Sequence, residues 1–190
     1  MEKVRVEVSA RHIHLTQQDL EVLFGEGYKF NEIKDLTQPG QFASDAVVTL
    51  VGEKRQIENV RVLGPCRNYT QVEISRSDAI YLGIKTPLRL SGKIIGSGVG
   101  KLVGPAGELE LKEGIIVAKR HLHVNEGQAN NLNLQNGQNV KIYIEGPRAL
   151  TFEQVEVRVN EDYDLSVHLD TDEANSAGYD GNQDAYLITE

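Results

Sequence analysis

The 190-residue sequence predicts a mainly β protein: two small β-barrels from an internal duplication, capped by short α-helices. Three observations predict it. Short β-rich segments follow one another closely, with turn residues between them. One pattern is written twice, as Arg11-His12-Ile13-His14 and Arg120-His121-Leu122-His123. Residues 72–83 match residues 167–178 without a gap, so that valines, alanines and glycines coincide.

The elements follow in order. Val4-Arg5-Val6-Glu7-Val8 alternates apolar and charged residues, the pattern of a half-buried strand. Thr16 is placed to cap a helix over residues 17–24. Residues 46–52 form a strand ending at a turn, and residues 56–63 alternate until they meet Gly64-Pro65. Ser77 is expected to cap a short helix closed by Gly83. Residues 88–92 and 109–111 read as short strands, and residues 114–118 form a β-branched run. The glycine-rich stretch over 92–107 fits no nucleotide fingerprint and reads as hairpin turns. Asn125 can cap a helix, residues 139–144 and 152–159 are strands, and Asp172 is expected to cap a helix closed by Gly178.

Composition narrows the function. Net charge is −8 without a lysine–arginine run, which argues against nucleic acid. No apolar run reaches a membrane span, and Met1 is followed by charged residues rather than an apolar leader. The single Cys66 rules out an internal disulfide and fits a reducing cytosol. Tryptophan is absent and aromatics are 6%, so the core must be mainly Val, Ile and Leu. Glu161, Asp162 and Asp164 read as a solvated turn rather than a cation site.

All five histidines fall in the duplicated pattern. On a strand, side chains i and i+2 share a face, so His-x-His offers two imidazoles to one ion. The matched segments add a third group to each copy, Glu73 in the first and His168 in the second. The candidate ligand sets are therefore His12, His14 and Glu73, and His121, His123 and His168. Three ligands leave a fourth coordination position open, as catalytic zinc sites do. Nitrogen and oxygen donors suit zinc but also accept cobalt or another divalent ion. A lone His-x-His is a weak signal, and recurrence through homology alone would repeat it. The third group in each copy weighs toward metal.

The chain resembles the phosphotransacylase family typified by the propanediol-utilisation phosphate propanoyltransferase. The resemblance rests on residues 8–15 (VSARHIHL), 36–43 (LTQPGQFA) and 60–65 (VRVLGP), then Arg67 and 70–75 (TQVEIS). It continues through residues 120–123 (RHLH) and 168–175 (HLDTDEAN). It implies a cytoplasmic phosphate acyltransferase that interconverts short-chain acyl-CoA plus phosphate with acyl phosphate plus CoA. It further implies a two-zinc site between two barrels, with the ligands named above. One barrel would combine residues 1–10 with 119–190. The other would be residues 11–118, with an excursion at about 25–45. Arg67 matches a catalytic position, where its planar, permanently charged fork suits phosphate. A structural ion pair with neighbouring acids is the competing reading of Arg67.

Coenzyme A is itself anionic, so an acidic chain needs local basic groups for it. Lys34 and Arg61 are candidates, and the resemblance adds Ser9, Leu63 and Asn175. It also implies a homodimer, and a pathway link to an acetate-type kinase. Strand character from Val4 leaves no room for the amphipathic extension of microcompartment-packaged members, so a free cytosolic enzyme is expected. Phosphate is expected at the His12, His14 and Glu73 metal, beside Arg67, with the all-histidine site alongside. Two alternatives remain open. One is a two-metal hydrolase of thioesters or phosphoesters, using activated water. The other is a non-catalytic metal-binding module. Cys66 reads as an ordinary thiol, since no histidine is left to activate it.

Overall fold

The computed structural model describes residues 1–188. In chain order the strands are β1 (Glu2–Ser9), β2 (His12–His14), β3 (Glu32–Asp35), β4 (Phe42–Val51), β5 (Gln56–Gly64), β6 (Gln71–Ile74) and β7 (Leu88–Arg89). They continue as β8 (Gly98–Val103), β9 (Glu108–Ala118), β10 (His121–Val124), β11 (Asn139–Ile144), β12 (Leu150–Val159), β13 (Ser166–Asp170) and β14 (Ala185–Ile188). The helices are α1 (Gln17–Phe24), α2 (Arg76–Leu82), α3 (Glu126–Leu132) and α4 (Thr171–Ala177). The protein is mainly β, with two closed six-stranded barrels and short helices, as the sequence predicts. Among the described residues no helix is long and apolar enough to cross a membrane.

The chain divides into two compact units, residues 11–118 and residues 1–10 with 119–190. In the first unit the ring runs β4-β5-β2-β6-β9-β8 and returns to β4. β3 lies on β4, and β7 lies on β9. In the second unit the ring is β11-β12-β10-β13-β1-β14. The two rings correspond strand for strand, and every pair has the same parallel or antiparallel sense. β1 and β9 each precede an Arg-His-x-His motif, and each closes the ring that holds the other copy. Closure removes exposed strand edges, which otherwise invite aggregation.

Each barrel is filled by the inward residues of its strands. β4 buries Ala46, Val48 and Leu50 at every second position, with Ile13, Val62 and Ile115 from neighbouring strands. The other interior holds Val4, Leu122, Ile142, Val157 and Leu187. These aliphatic cores match the aromatic-poor composition.

Two local expectations need correction. The caps of α2 and α4 are Ser75 and Asp170, not Ser77 and Asp172. In both helices the capping residue is extended and accepts from the N–H three residues on, while that residue's carboxylate accepts from the cap N–H. This reciprocal box satisfies two otherwise orphaned donors, so the helices start earlier. Residues 109–111 and 114–118 belong to one strand, which passes through Gly114 at a φ of 117° that suits glycine. Within residues 25–45, Glu32–Asp35 form β3, which pairs with β4 at the end of the strand order.

Candidate metal centres and anion site

The first cluster begins with the alternation of β2. Ile13 enters the core, which sends His12 and His14 to the opposite face. The antiparallel register of β2 and β6 sets His12 opposite Glu73 and His14 opposite Gln71. His12 Nε2 lies 3.6 Å from Glu73 Oε2, and the two imidazole rings meet edge-on at 5.0 Å. One donor atom from each of His12, His14 and Glu73 lies within 4.8 Å of the others. Burial, then His12 and the Arg67 charge, push the His14 pKa down to about 2. His14 is thus neutral at physiological pH, the form that offers a lone pair to a metal. Its buried Nδ1 has no hydrogen-bond partner among the described residues. Such an atom is costly unless something else satisfies it, and a bound cation fits that need.

The second cluster repeats this register. His121 stands opposite His168, and His123 opposite Ser166. The His121 and His168 rings lie 4.9 Å apart and nearly parallel, and His123 is 4.2 Å from His168. Their donor atoms also fall within 4.8 Å of one another. His121 Nδ1 is 2.9 Å from the Lys119 carbonyl. A carbonyl only accepts, so Nδ1 carries a proton, which leaves Nε2 as the nitrogen that could face an ion. Burial, then His168, His121 and Arg158, hold the His123 pKa far below its usual value. Tyr163 stacks on the His123 ring at 3.8 Å.

A brace behind each cluster escapes the sequence reading. Arg11 grips Asp78 with Nε and Nη2 at 2.8 and 2.7 Å. Arg120 binds Glu173 at 2.7 Å and donates Nε to the Glu153 carbonyl at 2.7 Å. Asp78 and Glu173 are the acidic members of the capping boxes of α2 and α4. Each arginine therefore ties its His-x-His strand to the helix that follows the third member of its cluster. The available signal was that both arginines recur with the motif and both acids occupy matched positions.

Arg67 sits beside the first cluster. Its backbone N–H donates to the Leu15 carbonyl at 2.8 Å. Its guanidinium donates to Gln41 Oε1 at 3.1 Å and reaches Ser91 Oγ at 3.5 Å. Among the described residues it forms no ion pair with a carboxylate, so the structural ion-pair reading finds no support. Gln71, also missed from sequence, links Ser91 to Glu73.

The remaining candidates fall in both units. Lys34 is exposed on β3 and pairs with Ala43, which pairs with Leu63 on β5. Arg61 lies opposite His12 and donates to the Ser44 carbonyl. In the other unit Ser9 pairs with Asp170, and Asn175 is exposed on α4.

A sequence model of the phosphate propanoyltransferase family matches residues 5–180. The chain belongs to this family. It is 48% identical to the phosphate propanoyltransferase of Thermotoga maritima, covering 96% of this chain and 88% of that one. It is 52% identical to that of Salmonella typhimurium, covering 91% and 82%. It is 45% identical to that of Clostridioides difficile, covering 97% and 88%. Family membership makes the protein an acyltransferase enzyme, which sets aside the non-catalytic alternative.

Proposed function

We propose that the protein transfers a short acyl group, such as propanoyl, between coenzyme A and inorganic phosphate, using two divalent ions, of which zinc suits the donors best. The observation that carries this reading is Arg67. A half-buried guanidinium without a carboxylate partner among the described residues stands beside three convergent metal-type donors. Such a cation favours an incoming anion. His12, His14 and Glu73 would hold one ion, and His121, His123 and His168 the other. Bound ions would supply Lewis-acid charge that offsets the repulsion between phosphate and the anionic thioester substrate.

Phosphate is already a nucleophile near neutral pH, so positioning matters more than proton removal. Arg67 binds its oxygens and presents it to the thioester carbonyl. Gln41 and Ser91 hold the guanidinium without neutralising it. A fixed charge of this kind also stabilises the oxyanion that develops as the carbonyl is attacked. The C–S bond then breaks, leaving coenzyme A thiolate and acyl phosphate.

Ser9, Lys34, Arg61, Leu63 and Asn175 are proposed coenzyme A contacts, and Lys34→Ala or Arg61→Ala should raise the KM for the thioester. A homodimer and a kinase consuming the acyl phosphate complete the proposal. The decisive assay mixes propanoyl-CoA with the protein and follows thiol release. Release should require phosphate and stop with a strong chelator. Equal release without phosphate would make the protein a hydrolase instead.

A further inference from the structure

We propose that Gln71 is a positioning residue that locks Glu73 and Arg67 into one rigid unit, so that the metal ligand and the phosphate grip are set together. This rests on the metal reading above. Gln71 is completely buried. Its Nε2 donates to Glu73 Oε1 at 2.6 Å and to Ser91 Oγ at 2.8 Å. Its Oε1 accepts the Gly92 N–H at 2.7 Å. An N–H can only donate, so Gly92 dictates which end of the amide faces Glu73. The flipped amide would set an oxygen against a carboxylate and leave the Gly92 N–H facing a donor. Gly92 itself has φ 94°, a backbone that suits glycine.

The consequence for Glu73 is specific. Gln71 occupies Oε1, while Oε2 is the oxygen near His12. Glu73 is therefore prepared to give one oxygen to an ion rather than both. Ser91 accepts from Gln71 and also lies at hydrogen-bond reach of Arg67. A chain of neutral groups thus connects the carboxylate to the guanidinium without discharging either. In the other barrel the matching position is Ser166. Its hydroxyl donates to the Asp164 carbonyl at 3.0 Å and lies 3.4 Å from His168 Nε2. Among the described residues, the long bridging amide occurs at the cluster that contains Glu73 and not at the all-histidine one.

Gln71→Met keeps length and apolar bulk but removes the donor and the acceptor. The test compares metal content, cobalt-substituted absorption, and kcat and KM for phosphate in the wild type, Gln71→Met and Ser91→Ala. Wild type holding no metal would overturn the metal reading itself. With two ions in the wild type, Gln71→Met should bind one of them about 10- to 100-fold more weakly and shift its cobalt spectrum. The His121, His123 and His168 ion should be unaffected. Ser91→Ala should keep both ions and raise the phosphate KM, and it carries the test if Gln71→Met fails to fold. Unchanged cobalt spectra and metal affinity in a folded Gln71→Met would overturn the proposal. So would an unchanged phosphate KM in Ser91→Ala.

Discussion

The two barrels share a scaffold and differ in what faces their clusters. Both place the third member of the cluster opposite the first histidine, and both tie an arginine to the capping box of the next helix. Yet one cluster contains the carboxyl residue Glu73 and the other is all histidine. The same register puts Glu161 and Asp162 where the first barrel has Cys66 and Arg67. A guanidinium thus stands beside the first cluster, and acidic residues occupy the matching positions of the second. Around the second cluster stand Tyr163, stacked on His123, and Arg158, whose charge acts on the same ring. Duplication kept the parts that fix ligand geometry and let the surrounding groups diverge.

The comparison breaks most visibly when a ligand is removed from either copy. His12→Ala and His121→Ala should each lower the metal content from about two ions per chain to about one and abolish turnover, since a three-ligand site tolerates little loss. Metal analysis of the purified variants checks this. Loss of both ions from a single substitution would show that the copies do not bind independently.

Arg67→Ala probes the main asymmetry. It should leave both ions in place and lower kcat about 100- to 1,000-fold, the usual scale for removing one preorganised transition-state contact. Phosphate-dependent thiol release and metal analysis on the same sample measure both halves. Normal turnover would remove Arg67 from the mechanism.

Smaller effects should come from the shared braces. Arg11→Met strands Asp78, whose side chain is only 9% exposed, and should cost about 1–2 kcal/mol. The figure is modest because Arg11 itself is partly solvated. Arg120→Met should cost less, about 1 kcal/mol, because Glu173 is more exposed at 17% and keeps its capping role. Urea unfolding of the metal-loaded variants ranks them. Equal midpoints would mean that burial of the acid does not set the cost.

The fold class was legible because both its signals are local. Strand alternation and capping glycines recur along the chain, and the gap-free match between residues 72–83 and 167–178 exposes the duplication. The grouping of His12, His14 and Glu73 was accessible for the same reason, since i, i+2 spacing on a strand and a repeated third partner are sequence patterns. Their role as metal ligands stays a proposal. What escaped depends on contacts between distant segments. Gln71 and Ser91 share no periodicity, and the bond between them exists only because the chain returns past β6. The Arg11 and Arg120 braces were hidden because a charged residue beside a motif reads equally well as solvated. Ser77 and Asp172 looked like good caps, but Ser75 and Asp170 stand at strand ends whose extended backbone suits the capping position.

The smallest expected effect concerns Cys66, another residue the second barrel does not copy. Burial, then the Glu21 charge, raise its pKa above the usual thiol value. Its sulfur faces Gln17 Oε1 at 3.6 Å. At neutral pH it is a thiol rather than a thiolate, and the thiolate is the nucleophile. All five histidines belong to the two clusters, so none is left to serve it as a dedicated base. Cys66→Ser should therefore keep kcat within about twofold of the wild type, since serine preserves the polar contact to Gln17. Iodoacetamide labelling of the wild type should be slow at pH 7 and quicken as pH rises past the ordinary thiol range. A large loss of turnover in Cys66→Ser would instead point to an acyl group carried on sulfur. It would also make the divergence at position 66 as consequential as that at Arg67.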